Sequence, residues 1–329
     1  MDNRAEDHRD DGTPAEDGHG RSAARPSEIP RRGWRDILKR AATGVSEKNL
    51  SLASAGAAFY AFLAIPSALT ALVALYGLVF NPADVGKQVA AMQGMMPHEA
   101  IGLISTQLKS VTSHSAQTLG ISFVISILVA LWGAMSGTTS MMSALNMAYG
   151  EEEKRSLVKY YLTALALTVA AIVFVVIALA LVAVLPAVLG MLPFGGFSQW
   201  LATVVRWPVL IVLVLLALAA LFRYAPSRDE PKWRWVSWGA VAAAILWVIG
   251  SVLFSLYVGQ FATYNKTYGS LGAVVVLMMW LYVSSFAVLL GAELNAEIEH
   301  QTARDSTVGP ERPMGERGAQ MADTLGREP

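Results

Sequence analysis

The 329-residue chain contains no cysteine, which excludes disulfides, thiol catalysis and cysteine metal sites. Charge is also scarce: only 15% of the residues are Asp, Glu, Lys or Arg, against about 25% in soluble domains. Hydrophobic residues make up 54%. The formal net charge of zero provides no overall basic field, so we expect no nucleic-acid partner. This composition is typical of an integral membrane protein.

Signatures of catalysis are equally scarce. The five histidines are dispersed, three of them near the chain ends, and none forms an i, i+4 pair. A zinc or two-metal nuclease needs several converging ligands, so we expect neither a metal site nor nuclease activity. The sequence has neither the GxSxG elbow of hydrolases nor the Walker sequence of nucleotide-binding proteins. We therefore predict a protein without a cofactor that is not an enzyme.

Long apolar runs occupy most of the chain. We predict an all-α, polytopic membrane protein with six transmembrane helices at about 50–80, 119–147, 160–190, 201–223, 236–262 and 270–292. The central parts of these spans contain no Asp, Glu, Lys, Arg or His. This absence argues against a proton-driven antiporter, but it permits movement of an amphiphile or a structural role.

The segments around the spans are polar. Residues 1–33 and 301–329 have few large apolar side chains, so we predict disordered tails on either side of a membrane domain at 34–300. Residues 34–48 have the spacing of an amphipathic helix that lies in the membrane interface. The apolar positions within 82–118 predict two short helices on the outer face, with a solvated loop as the alternative.

Basic residues are distributed unequally between the two sides of the predicted bundle. Of the 25 Lys and Arg residues, 21 fall in residues 1–49, in the C-terminal tail and in the loops at 149–161 and 223–235. The positive-inside rule therefore predicts cytoplasmic termini in a bacterial plasma membrane. Membrane lipids are the expected partners, and envelope proteins are a second class of candidate partner. The oligomeric state, the substrate, and the direction and energy source of any transport stay open.

The stretch TYNKTYGSLG at 263–272 separates the last two predicted spans. Aromatic and amide side chains recur at helical spacing from the end of the fifth predicted span into this stretch, so they would share one face of a helix. One interpretation is an aromatic belt followed by a turn. The other is an outer site for an amphiphile, in which cations face an anion, amides donate hydrogen bonds and a tyrosine of the first span contributes. Its candidate residues are Tyr60, Arg206, Tyr257, Gln260, Tyr264, Asn265, Lys266 and Tyr268.

Other residues have structural interpretations. Pro66 is expected to kink the first span, and Gly133 and Gly137 to allow close helix packing. Gly269 and Gly272 favour a tight turn. Glu293 opposes the dipole of the last helix. We therefore predict that it forms an ion pair with a basic residue of the 149–161 or 223–235 loop.

Several motifs together resemble the YihY/BrkB family of bacterial inner-membrane proteins, which was once mislabelled ribonuclease BN. They are AGAAFYAFLAIPSAL, SALNMAYG, FRYAP and TYNKTYGSLGAVVVLMMWLYVSSFAVLLGAELNAE. The resemblance covers about 34–300 and implies six helices with cytoplasmic termini. Where the family often has Pro-Gly-Ala, this chain has Trp238 before Gly239. Family members have been linked to envelope lipid or lipopolysaccharide transport. The resemblance implies no agreed activity. We predict that the protein moves or helps to export a lipid-like amphiphile; the alternative is a non-transporting scaffold of an envelope complex.

Overall fold

The computed structural model describes residues 18–79, 121–184, 196–260 and 270–327. After a short 3-10 helix at Pro26–Glu28, the helices are α1 (Arg31–Glu47), α2 (Leu50–Val79), α3 (Ile121–Tyr149), α4 (Leu157–Leu179), α5 (Gly196–Tyr224), α6 (Trp233–Gln260), α7 (Ser270–His300) and α8 (Gln320–Asp323). A π-helical turn at Ala180–Val184 extends α4. The described residues contain no strand, only one isolated bridge between Pro231 and Thr307. The predicted all-α class is confirmed.

Each predicted span corresponds to one of the helices α2 to α7. Five of these six satisfy length and hydropathy criteria for crossing a membrane in their described parts: α2, α4, α5, α6 and α7. Helix α3 has 29 residues, which is long enough. It is not among the helices that satisfy both criteria in their described parts, so the count of six spans stays a prediction. The predicted outer helices at 82–118 lie outside the described residues.

Helix α7 is the centre of the bundle, since it packs against α1, α2, α3, α6 and α8. We name the end where α7 finishes the tail end. The main apolar core lies here and is made of small and medium-sized side chains from most of the helices. It includes Leu50, Met142, Leu145, Phe222, Val236, Leu289 and Met321.

Two turns at the tail end fix how the helices enter the core. Asn49 has φ +51° between α1 and α2, a left-handed conformation that Asn tolerates better than most residues. Gly150 has φ +65° and ends α3. The Asn49 turn places Lys48 between α1 and the end of α3, where its ammonium donates to the Ala148 carbonyl at 2.8 Å.

The prediction of disordered tails is wrong for the parts that the structure describes. At the N-terminal side, Ile29 is buried in a cluster with Ile37, Trp235 and Ile298. Further along, Gln301 and Thr302 are buried, and they bond to the backbone of residues 19–23. The two tails therefore cover each other as well as the helix ends.

The segment 301–327 crosses the tail end as a strap. The buried Arg317 donates to the carbonyls of Ala303 and Ala322, at 2.7 and 2.6 Å. The backbone amide of Gln320 donates to a carboxylate oxygen of Glu151 at 2.6 Å, and the Met321 side chain is buried in the main core. Composition suggested disorder because the tail has few apolar side chains; backbone hydrogen bonds and buried charged groups supply the order instead.

Candidate functional site

The tail-end part of α7 carries a row of buried polar side chains. Glu293, Asn295, Glu297 and Glu299 are at most 5% exposed. We name the three carboxylates the α7 carboxylate row. The last span was predicted to finish near 292, but the helix continues to His300 with this row inside the protein. Buried carboxylates are costly unless they are paired, so the partners decide what the row does.

Glu293 pairs with Lys48, whose Nζ lies 2.8 Å from both carboxylate oxygens. The expected ion pair therefore exists, but the predicted partner loop was wrong. The Asn49 turn brings Lys48 closer than either loop. Gly44 of α1 makes room, because a Cβ there would collide with the Glu293 carboxylate.

Glu297 pairs with a second residue of α1. The Nε of Arg40 lies 2.6 Å from a Glu297 oxygen, and the same guanidinium donates to Gln301 at 2.7 Å. His300 lies 3.4 Å from Glu297 on the following turn. This part of the row therefore fixes α1 and the start of the strap against α7.

Glu299 pairs with Arg228 from the connection between α5 and α6, and both side chains are 0% exposed. Two parallel hydrogen bonds of 3.0 and 2.8 Å join them, which is the strong bidentate geometry of an arginine–carboxylate pair. The guanidinium also lies 4.3 Å from the Tyr149 ring centroid. Burial is the largest single influence on the pKa of Arg228 and would lower it, but the charge and hydrogen bonds of Glu299 together with Tyr149 and Glu151 raise that pKa overall.

Asn295 connects α7 to the backbone of α6. Its Oδ1 accepts from the Gly239 amide at 2.7 Å, and its Nδ2 donates to the Val236 carbonyl at 3.1 Å. The helices can approach this closely because Gly239 faces Gly291, where a Cβ on either would collide with the other's carbonyl. Asn295 and Gly291 were not predicted from the sequence, although both fall in the quoted family motif. A polar residue near a glycine at the end of an apolar helix was the pattern that could have indicated this close helix contact.

The two connecting loops at the tail end are joined to each other. The Asn146 Oδ1 accepts from the Ser227 amide at 2.8 Å, and the Ser227 hydroxyl accepts from the Lys154 amide at 2.9 Å. Glu153 accepts from Arg155 at 2.7 and 2.8 Å. The hydrogen bonds from Arg155 are the main cause that lowers the pKa of Glu153 to about 2.

Every member of the α7 carboxylate row thus has a basic partner: Arg40 and Lys48 come from α1 and the turn after it, and Arg228 comes from the α5–α6 connection. Among the described residues no group of three or more His, Cys, Asp or Glu side chains could hold a metal ion. Each carboxylate of the row is bound by an ammonium or a guanidinium within 2.8 Å. The row therefore ties α1, the turn after it and the α5–α6 connection to α7.

The predicted outer site is described only in part. Tyr60 and Tyr257 are about half exposed. Arg206 stacks over Trp207 at 5.3 Å and bonds to the Val182 carbonyl at 3.4 Å. Gln260 is the last residue of α6. The other candidates and Gly269 lie outside the described residues: Tyr264, Asn265, Lys266 and Tyr268. The site stays a prediction.

The residues with structural interpretations are placed in helices. Helix α2 continues through Pro66, and Gly272 lies in the first turn of α7. Gly133 and Gly137 lie against α2: a Cβ on Gly137 would be 3.2 Å from the Ala61 Cα, and one on Gly133 would collide with Ser67. The small residues of α3 therefore allow α2 and α3 to approach closely.

The fold and the apolar helices define an all-α membrane protein with several candidate spans. The family model described as virulence factor BrkB matches residues 41–315. The chain belongs to this family, which is the YihY/BrkB family that the motifs indicated.

The chain is similar to named relatives over parts of its length. It is 41% identical to the ribonuclease-like protein YfkH of Bacillus subtilis, over 52% of this chain and 63% of that protein. It is 38% identical to UPF0761 membrane protein IL2447 of Idiomarina loihiensis, over 29% of this chain and 33% of that protein. The matches thus span less than two thirds of these relatives. No solved structure matches.

Proposed function

We propose that this protein moves, or helps to export, a lipid-like amphiphile of the cell envelope, and that it does so without enzymatic chemistry. The observation that carries the proposal is an unequal packing of the helices. None of the side chains described at 204–218 of α5, 244–259 of α6 and 272–284 of α7 is buried. The same three helices are packed into the core near the tail end.

Exposed apolar side chains line parts of these segments, among them Ile211, Val252 and Val275. In this half of its length, α7 contacts α6 through Ser284 and Trp247 but leaves side chains such as Val275 to lipid or to a bound molecule. Acyl chains fit such a surface, because they need apolar contact without specific hydrogen bonds. In this proposal the amphiphile's headgroup lies at the outer site, against Arg206, Lys266 and the tyrosine stripe.

The alternative is a scaffold, in which a protein partner of an envelope complex covers the same surface. Transport and scaffolding differ in one measurable property. A transporter moves lipid between leaflets when it is the only protein in the membrane, whereas a scaffold does not.

The proposal predicts that the purified protein accelerates the movement of labelled phospholipid between the leaflets of reconstituted liposomes. The double variant Tyr264→Phe, Lys266→Gln is expected to slow this movement about tenfold, the usual effect of losing a hydrogen bond to a charged group. The matched control is Tyr161→Phe, Lys159→Gln, which makes the same chemical changes at exposed positions of α4. Equal rates in liposomes with and without wild-type protein would reject transport, and equal rates in both variants would reject the outer site.

We also propose the orientation with both termini in the cytoplasm of the plasma membrane. In intact cells, cysteine at Ser115 is expected to react with an impermeant maleimide, whereas cysteine at Ser46 or Val308 is not. Ser46 and Val308 are exposed positions of the tail end, so burial would not protect them. Ser227 is unsuitable because it is buried against Asn146. Labelling of Ser46→Cys from outside would reverse the orientation; lysed cells give the control for reactivity.

A further inference from the structure

Helix α1 presents a strongly basic exposed side. Arg31, Arg32, Arg35 and Lys39 are exposed, and among the described residues no ion pair satisfies them. The acidic residue within this run, Asp36, pairs instead with His19 at 2.6 Å. Four unpaired cations on one helix produce a local positive field that the neutral net charge of the chain conceals.

An aromatic pair adjoins these cations. Trp34 of α1 contacts Trp238 of α6, with ring centroids 5.5 Å apart. Arg31 and Leu38 lie three and four residues from Trp34, so they share its side of α1. Arg234, one turn before Trp238 on α6, is also exposed. We name Arg31, Arg35, Lys39, Arg234, Trp34 and Trp238 the basic–aromatic patch.

The patch lies at the edge of the apolar surface. Beyond Trp238, the same exposed side of α6 continues with Val241 and Ile245 into a candidate membrane span. Leu38 is also exposed beside the cations. Tryptophan is enriched at the height of lipid headgroups, and basic side chains on an amphipathic helix attract anionic lipid. The phosphate of a headgroup at this height is within reach of the arginine side chains.

We propose that the basic–aromatic patch binds the headgroups of anionic phospholipids in the leaflet at the tail end. Each arginine guanidinium can donate two parallel hydrogen bonds to the oxygens of one phosphate, while Trp34, Trp238 and Leu38 contact the part of the acyl chain next to the headgroup. The proposal is independent of transport, because the patch and the predicted outer site are separate groups of residues. The patch would hold α1, and with it the partners of Glu293 and Glu297, against the membrane.

The test is equilibrium binding of phosphatidylglycerol and phosphatidylcholine to the full chain in detergent, measured by native mass spectrometry. Wild type is expected to prefer phosphatidylglycerol. The variant Arg31→Gln, Arg35→Gln should bind it more weakly, by roughly fivefold for each arginine removed. The control Arg304→Gln, Arg327→Gln removes the same charge from exposed positions of the strap and should change binding less than twofold.

Three results would overturn the proposal: equal affinity of wild type for the two lipids, unchanged binding in the α1 variant, or equal losses in the two variants. Equal losses would mean that only the overall charge matters. Both variants should keep the wild-type melting temperature, since the four side chains are exposed. Added salt should weaken phosphatidylglycerol binding in wild type, because screening acts on exposed charges.

Discussion

Replacing Lys48 with methionine is expected to lower the free energy of unfolding by about 3–5 kcal/mol. The substitution leaves the Glu293 carboxylate, which is 0% exposed, without its cation. The Ala148 carbonyl loses a hydrogen bond at the same time. The unfolding of the purified protein by a denaturing detergent, followed by circular dichroism, measures the change.

Lys154→Met is the matched control for this substitution. Lys154 also pairs with a buried glutamate, Glu151 at 3.1 Å, but its own side chain is 61% exposed. The Lys154 ammonium is in contact with solvent, and Glu151 keeps the hydrogen bond from the Gln320 backbone amide, so this variant should lose less stability than Lys48→Met. Adding Glu293→Leu to Lys48→Met should recover much of the lost stability, because an apolar pair replaces an uncompensated charge. Equal losses in Lys48→Met and Lys154→Met would contradict the buried pair.

Replacing Gly239 with alanine is expected to destabilise the protein on the order of 3 kcal/mol. The added methyl group would collide with the Gly291 carbonyl and with the Asn295 amide. The helices α6 and α7 would have to separate, and the two bonds of Asn295 to the α6 backbone would be lost. The gain in helix propensity, about 1 kcal/mol, offsets only part of the loss.

Gly56→Ala separates this steric effect from propensity. Gly56 also lies inside a helix, α2, but a Cβ there meets nothing within 4 Å. This variant should be as stable as wild type or slightly more stable, by up to about 1 kcal/mol. The midpoint of thermal unfolding in detergent compares the two alanine variants. A Gly239→Ala protein as stable as Gly56→Ala would show that α6 and α7 do not need close approach.

The sequence predicted the helices well because the information for an apolar helix is local. Length and hydropathy of each run suffice to place α2 and α4 to α7 within several residues. The end of α7 was missed for the opposite reason. Its carboxylates are stable inside the protein only with partners that lie 245, 257 and 71 positions away, which are Lys48, Arg40 and Arg228. The apolar run finishes near 292, so the sequence predicted that the last span finishes there.

The strap was missed through a related error. Composition measures what a segment can bury by itself, and 301–329 has little to bury. In the structure, the strap is ordered by groups that belong to other segments, such as the Glu151 carboxylate and the core that receives Met321. For the outer site, the sequence indicated which types of side chain are available but not where they lie relative to one another. Four candidates, Tyr60, Arg206, Tyr257 and Gln260, lie in described helices, and the decisive loop residues lie outside the described part of the chain.

The position of Met321 has a consequence for biosynthesis. The residues that it joins in the core, such as Leu50, Tyr149 and Leu289, are made earlier, and their helices can insert into the membrane as they are translated. The core nevertheless stays incomplete until residue 321 has left the ribosome. Final closure of the tail end is therefore a late, post-insertion step, and a nascent chain stalled before the strap should be far more sensitive to protease at its helix ends than the finished protein.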